Sequence, residues 1–237
     1  MLLPDSLDHS IQMTSLNKLK SFEEYDAAKN HGDNAAALKI VDRVLKKDKL
    51  KELENLLDKG RETIFVPIIN SEMNKRLNVL PNAYAQRLAE TFNGNVLEDI
   101  VKIKGTKNTG ATQSERLLKS IGFDGNITST SAQYVIVDDN YTSGKTIMAF
   151  MEHIKKQGGD VKAVTTLAAS RYGAGIKISE LDLDKLRSAV KVTDKEIENV
   201  IGHKISQFTK AELNAVLSTV RTGGFAGLKR LYSKKNG

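Results

Sequence analysis

The stretch Tyr134–Thr146 constrains this chain most, because several structural elements follow one another within it. Residues 134–137 are apolar and partly β-branched, which is typical of a buried strand. Asp138 and Asp139 come next, and a small, hydroxylated segment around Gly144 then leads into residues spaced like a helix. The stretch therefore predicts a strand, an acidic pair, a tight loop and a helix, in that order.

The chemistry of this arrangement suits a phosphorylated sugar. Main-chain N–H groups at the start of a helix bind phosphate, and the helix dipole favours the negative charge. Ligands of open α/β sheets bind outside the carboxyl ends of the strands, where two carboxylates can accept hydrogen bonds from vicinal hydroxyls. A plain strand followed by a polar turn is the alternative interpretation. A Walker A loop is excluded, because the earlier glycine of that motif is absent before Gly144.

Strands alternate with helices around this stretch, which predicts a parallel, doubly wound sheet. The predicted strands are 63–69, 96–103 and 161–169, and the predicted helices are 80–92 and 145–157. Residues 1–60 and 176–237 have mainly helical patterns. The interpretation divides the chain into a helical N-terminal cap or packing element (1–60), a core (61–175) and a helical C-terminal segment with a basic tail (176–237).

Local signals predict where several of the flanking helices begin and end. Asp33 or Asn34 is expected to cap one N-terminal helix, and Gly60 is expected to end the last of them. Thr193 and Glu196 have the spacing of a capping box.

The composition limits the class of ligand and the compartment. The net charge of +7 and the isoelectric point near 9.3 suit a polyanionic ligand and equally suit weak nucleic-acid contact through a basic surface. Cysteine is absent, which excludes disulfides and cysteine-based metal sites. No apolar run reaches the roughly twenty residues that span a bilayer, and the N-terminus lacks a signal-peptide pattern, so we expect a cytoplasmic protein.

The stretch Tyr134–Thr146 resembles the 5-phosphoribosyl-1-pyrophosphate (PRPP) signature of type I phosphoribosyltransferases. In that signature a hydrophobic strand and two acids precede a Thr/Ser–Thr/Ser–Gly–x–Thr loop. The order of Val66-Pro67, Lys75-Arg76, Asn78 and the segment 84–89 is similar to the ComF-like branch of the family. Asn140 stands where the family usually has an aliphatic residue. The resemblance implies an α/β fold with about five parallel strands and helices on both faces, here flanked by helical N- and C-terminal segments.

The resemblance also implies roles for individual residues. Asp138 and Asp139 would bind the ribose 2′- and 3′-hydroxyls and hold Mg²⁺ indirectly, through those hydroxyls or water. The 5′-phosphate loop would consist of Thr142, Ser143, Gly144, Lys145 and Thr146. The pyrophosphate loop would contain Asn70, Ser71, Lys75 and Arg76, and a flexible lid would contain Lys104, Lys107, Gln113 and Arg116. Arg171 and Tyr172 would face the acceptor.

The activity that the resemblance implies is phosphoribosyl transfer, a glycosyltransferase reaction of nucleotide metabolism. Such an enzyme binds PRPP with Mg²⁺, transfers the phosphoribosyl group to a small acceptor, here expected to be a nitrogenous base, and releases pyrophosphate. The alternative is a PRPP- or nucleotide-sensing regulatory or nucleic-acid-associated module without turnover. No membrane contact is expected, and a homodimer is compatible with the sequence.

Overall fold

A parallel five-stranded sheet lies at the centre of the residues that the computed structural model describes, 10–70, 77–103, 121–141, 144–169, 178–201, 205, 208 and 210–233. The strands within them are β1 (Ile11–Ser15), β2 (Thr63–Pro67), β3 (Ile69–Asn70), β4 (Asn95–Val96), β5 (Val101–Lys102), β6 (Phe123–Asp124), β7 (Gln133–Tyr141) and β8 (Asp160–Ala169). The large sheet has the order β1–β8–β7–β2–β4 with parallel neighbours. β3, β5 and β6 form a second, small sheet.

Helices cover both faces of the large sheet. The described helices are α1 (Leu16–Lys20), α2 (Tyr25–Asn30), α3 (Asn34–Val44), α4 (Lys47–Glu54), α5 (Leu80–Phe92), α6 (Lys145–Lys156), α7 (Glu180–Val190), α8 (Asp194–Ile201) and α9 (Lys210–Ser233). The core on one face contains α3 and α5 with Val135 and Val137 of β7, and the core on the other contains α6 with Tyr134 and Ile136. The predicted α/β fold, with about five parallel strands and helices on both faces, is therefore confirmed.

The N-terminal region contains a strand that sequence analysis did not predict. β1 pairs with β8 at the edge of the large sheet, with Ile11 opposite Thr165. Ile11 and Met13 are buried in the core that also contains residues of α3 and α5. Residues 11–14 alternate between apolar and polar side chains, a strand signal that the helical interpretation of residues 1–60 did not use.

Two local predictions were wrong and two were confirmed. The predicted strand over 96–103 is instead two short strands, β4 and β5, which belong to different sheets. The main-chain N–H of Leu97 still donates to the Phe65 carbonyl, and the chain leaves the large sheet after this bond. Gly60 does not end a helix, since α4 ends at Glu54 with Asn55 as its C-cap. Helix α5 has the predicted bounds, and α3 is capped as expected by the carboxylate of Asp33, which accepts from the N–H of Ala36 at 3.0 Å.

The C-terminal region is helical, as predicted, and has a hydrophobic cluster of its own. Leu186, Ile197 and Leu213 are buried in this cluster, which joins α7, α8 and α9. The capping box at Thr193 and Glu196 is present. None of the described helices has both the length and the apolar character needed to cross a membrane. The division of the chain at residues 60 and 175 stays a prediction.

A buried glutamine fastens the amino ends of the central strands. Gln133 begins β7 and is fully buried. Its side-chain oxygen accepts from the N–H of Asp58 at 2.8 Å, and its amide nitrogen donates to the Asp58 carbonyl at 3.0 Å and to the Thr63 hydroxyl at 2.9 Å. One side chain therefore joins β7 to β2 and to the loop before β2.

We expect Gln133→Leu to lower the free energy of unfolding by about 2 kcal/mol, because it leaves buried polar partners without a hydrogen bond. Denaturant unfolding of the purified chain measures this. Gln86→Leu on the exposed face of α5 is the matched control, with an expected change below about 0.5 kcal/mol. Equal effects of the two substitutions would contradict a fastening role for Gln133.

Candidate functional site

The two acids of the signature lie within β7, near its carboxyl end. The predicted strand 134–137 extends to Tyr141, so Asp138 and Asp139 are consecutive strand residues and not part of a turn. Consecutive side chains of a strand point to opposite faces of the sheet. Asp139 therefore shares the face of Val135 and Val137, and Asp138 shares the face of Tyr134 and Ile136.

Asp139 is buried and has partners on both carboxylate oxygens. Its Oδ2 forms an ion pair with Nζ of Lys29, in α2, at 2.5 Å. Its Oδ1 accepts a hydrogen bond from Nδ2 of Asn78, just before α5, at 3.2 Å. Although burial opposes the charge of Lys29, the neighbouring Asp139 carboxylate helps to hold its pKa above the usual value. The position beside Asp139 therefore favours the charged form of Lys29.

Asp138 has a different environment on the other face. It is half-buried, and its Oδ1 accepts from the main-chain N–H of Asp139 at 2.8 Å. Burial, and then the negative charge of Asp139, raise the pKa of Asp138 well above its usual value. The pKa of half-buried Lys102 is lowered by burial, and the negative charge of Asp138 opposes that change. The charge of Asp138 thus acts on Lys102.

The hydroxyl of Thr166 is a further polar group near Asp138. Thr166 pairs with Asp138 in the register of β7 and β8 and is fully buried. Its Oγ1 has no hydrogen-bond partner among the described residues.

A glycine with a left-handed backbone lies between β7 and the helix that follows. Gly144 has φ of +74° and is the N-cap of α6, whose first described main-chain bond runs from the N–H of Met148 to the Gly144 carbonyl at 2.8 Å. A Cβ on Gly144 would lie 2.5 Å from the Tyr141 hydroxyl oxygen. The first turn of a helix has main-chain N–H groups without a helical acceptor, so the start of α6 offers such donors.

The structure tests the position of only some predicted site residues. Asp138, Asp139, Gly144, Lys145 and Thr146 lie together along β7 and the start of α6. Asn70 ends β3 and pairs with Lys102 of β5. The other predicted site residues lie outside the described part of the chain: Ser71, Lys75, Arg76, Lys104, Lys107, Gln113, Arg116, Thr142, Ser143, Arg171 and Tyr172. Their roles stay predictions.

Sequence analysis missed two lysines at this site. Lys29 lies in a segment interpreted as a packing element, and 110 positions separate it from Asp139. Lys102 lies among apolar residues in the predicted second strand. Asn78 was part of the family pattern but had no assigned role. Its position just before a helix was the signal that could have pointed to a role in the site. Within the described residues, no group of three or more acidic, His or Cys side chains has the arrangement of a metal site.

Comparison with known proteins gives one curated relative, and no family model matches the chain. Protein TraN of Escherichia coli is 33% identical over 154 residues, which are 65% of this chain and 34% of that protein. The chain thus spans about a third of the length of this relative.

Three solved structures are distantly similar. A purine phosphoribosyltransferase of Pyrococcus horikoshii has a TM-score of 0.31 and 19% identity over 59% of this chain and 75% of its own. An adenine phosphoribosyltransferase has a TM-score of 0.37 and 13% identity over 60% of this chain and 74% of its own. Another, of Thermoanaerobacter pseudethanolicus, has a TM-score of 0.33 and 16% identity over 57% of this chain and 73% of its own. At these scores the likeness does not assign an activity.

We expect Gly144→Ala to lower the free energy of unfolding by about 1–3 kcal/mol, because the left-handed backbone strains a residue with a Cβ. The new methyl group would also clash with the Tyr141 ring. Thermal unfolding measures the change. Gly223→Ala is the matched control, because a Cβ there has no neighbour within 4 Å. The free energy of unfolding of this variant should not fall. A fully stable Gly144→Ala protein would contradict the described loop.

We expect Asp138→Asn to raise the melting temperature at pH 8. A carboxyl whose pKa is raised by folding stabilises the protein below its unfolded pKa, and this contribution is lost as the pH rises through the folded pKa. Asn avoids the loss and keeps the acceptor for the Asp139 N–H. The two melting temperatures should converge near about pH 4, where the unfolded carboxyl is protonated. A less stable variant at pH 8 would contradict this environment for Asp138.

Proposed function

We propose that this chain binds PRPP with Mg²⁺ and transfers its phosphoribosyl group to a nitrogenous acceptor, with release of pyrophosphate. One observation carries the proposal. The acids of the PRPP-like signature lie near the carboxyl end of a central parallel strand, and one loop separates that strand from the glycine-capped start of α6. This is the position at which open α/β sheets bind ligands.

The start of α6 supports a site for the 5′-phosphate. Its main-chain N–H groups and the positive end of the helix dipole favour a dianion. Gly144 lets the backbone approach the ligand without a side chain. Thr146, half-buried in the first turn, adds a hydroxyl donor. The acid pair lies one loop away, where a carboxylate accepts hydrogen bonds from ribose hydroxyls.

The donor set of this site fits Mg²⁺. Mg²⁺ prefers oxygen ligands and keeps several waters, so one or two carboxylates together with substrate phosphates are sufficient. Asp138, with its half-buried carboxyl, is the residue that would hold the ion, through water or the ribose hydroxyls, and Asp139 lies beside it. When bound, the ion neutralises negative charge on the pyrophosphate.

Transfer breaks the bond between ribose C1 and the pyrophosphate oxygen, and the pyrophosphate leaves with the bonding electrons. Positive charge develops on the ribose ring, and a nitrogen lone pair of the acceptor then forms the new bond to C1. Negative charge on the acid pair near the ring stabilises this charge. We assign the pyrophosphate to the loop of Lys75 and Arg76, and Lys104 and Lys107 to the lid.

A PRPP- or nucleotide-binding module without turnover is the second candidate. It is favoured by the contacts of Asp139, whose two carboxylate oxygens already have protein partners. Release of pyrophosphate from PRPP in the presence of a panel of free bases distinguishes the two. Release that depends on a base supports the transferase, and tight binding without release supports the module.

We expect saturable, Mg²⁺-dependent binding of PRPP by the full chain in a calorimetric titration, with ribose 5-phosphate as the comparison ligand. Asp138→Asn should weaken PRPP binding by about 10- to 100-fold, which corresponds to the loss of a charge-assisted hydrogen bond. Lys20→Met, at an exposed lysine of α1, is the control and should bind like the wild type. No binding at millimolar PRPP would contradict the proposal.

A further inference from the structure

We infer that the acid pair is divided in function: Asp138 faces the ligand, whereas Asp139 is an internal acid that Lys29 of α2 holds in place. The ligand in this inference rests on the proposed function, but the division rests on the contacts of the protein alone. Lys29 then acts as a positioning residue, because it acts through Asp139 and not through contact with the reacting atoms.

The two acid side chains leave β7 on opposite faces, although their carboxyl groups stay close enough to interact. Because Asp138 and Asp139 are consecutive residues of β7, their side chains leave opposite faces of the sheet. One ribose ring lies on one side of a strand, so vicinal hydroxyls reach one of these side chains more easily than both. The two acids therefore compete for the role of hydroxyl acceptor.

Burial and contacts decide which acid is free for the ligand. The side chain of Asp139 is 7% exposed, and Lys29 and Asn78 occupy its two oxygens. Asp138 contacts the main chain and the carboxyl group of the next residue, and it is half-buried. A ligand hydroxyl would meet Asp139 buried and already paired with an ammonium and an amide, whereas Asp138 has neither of these partners among the described residues.

The helix that carries Lys29 is fastened to the same region by independent contacts. The main-chain N–H of Val79 donates to the Ala28 carbonyl at 3.2 Å, and Ala28 is fully buried. Asn78 in turn accepts from the N–H of Leu80 at 3.3 Å, so the residue that binds Asp139 also begins α5. Lys29 thus links the N-terminal helices to the strand that carries the site.

The first test labels accessible carboxyls of the full chain without any ligand. A water-soluble carbodiimide with glycine methyl ester forms an amide at reachable carboxyls, and fragment ions of the peptide that contains both acids locate the label. We expect at least tenfold more label on Asp138 than on Asp139. Equal labelling, more label on Asp139, or label on neither acid overturns the inference.

The second test asks whether Lys29 protects Asp139. Lys29→Met should raise the labelling of Asp139 at least fivefold, whereas Lys29→Arg keeps a cation and should retain the protection. Lys20→Met, at an exposed lysine of the same N-terminal region, should leave the pattern unchanged. If Lys29→Met proves unstable, the same labelling of folded Lys29→Gln, which also removes the cation, decides the positioning role. An unchanged Asp139 signal in folded Lys29→Met overturns the positioning role.

A third arm separates this inference from the proposed function. PRPP with Mg²⁺ should reduce the labelling of Asp138 in the wild type by at least fivefold. Failure of PRPP to bind would contradict the proposed function. The labelling without ligand would still test whether the two acids differ in accessibility. Binding of PRPP that leaves the Asp138 label unchanged overturns the role of Asp138 as the ligand-facing acid.

Discussion

Two adjacent carboxylates in the central strand of a buried parallel sheet are the constraint on which this structure depends. A strand sends consecutive side chains to opposite faces, and both faces of β7 are covered by helices. Each acid therefore needs its own solution to the free-energy cost of burying a charge. Asp139 has a partly buried ammonium and an amide as partners, and Asp138 remains half-buried, with a raised pKa.

The two solutions have different consequences for stability and for binding. Removing Lys29 would leave the buried carboxylate of Asp139 without its cation, which is destabilising, so Asp139 depends on Lys29. The raised pKa of Asp138 means that this carboxyl lowers the stability of the fold near neutral pH, which is typical of functional groups. A polar site that precedes a glycine-capped helix start is chemically suited to a phosphorylated sugar. The helices α7–α9 have an apolar core of their own.

The fold and the centre of the site follow from local sequence signals, but the environment of the acids does not. The apolar residues 134–137, the acids and Gly144 lie within 15 positions, so their order alone predicts strand, acids and helix. Helix α5 is defined by its own pattern and by Asn93, its left-handed C-cap. The alternation of residues 11–14 was likewise a local signal for β1, whereas Lys29 meets Asp139 only through the packing of α2. Long-range partners of this kind leave no local pattern.

The most direct measurement is a crystal structure of the full chain with PRPP and Mg²⁺. The account predicts the 5′-phosphate at the main-chain N–H groups of the first turn of α6, with a ribose hydroxyl on Asp138 and the Lys29–Asp139 pair intact. A phosphate bound elsewhere, or a ribose hydroxyl that has displaced Lys29 from Asp139, would contradict it.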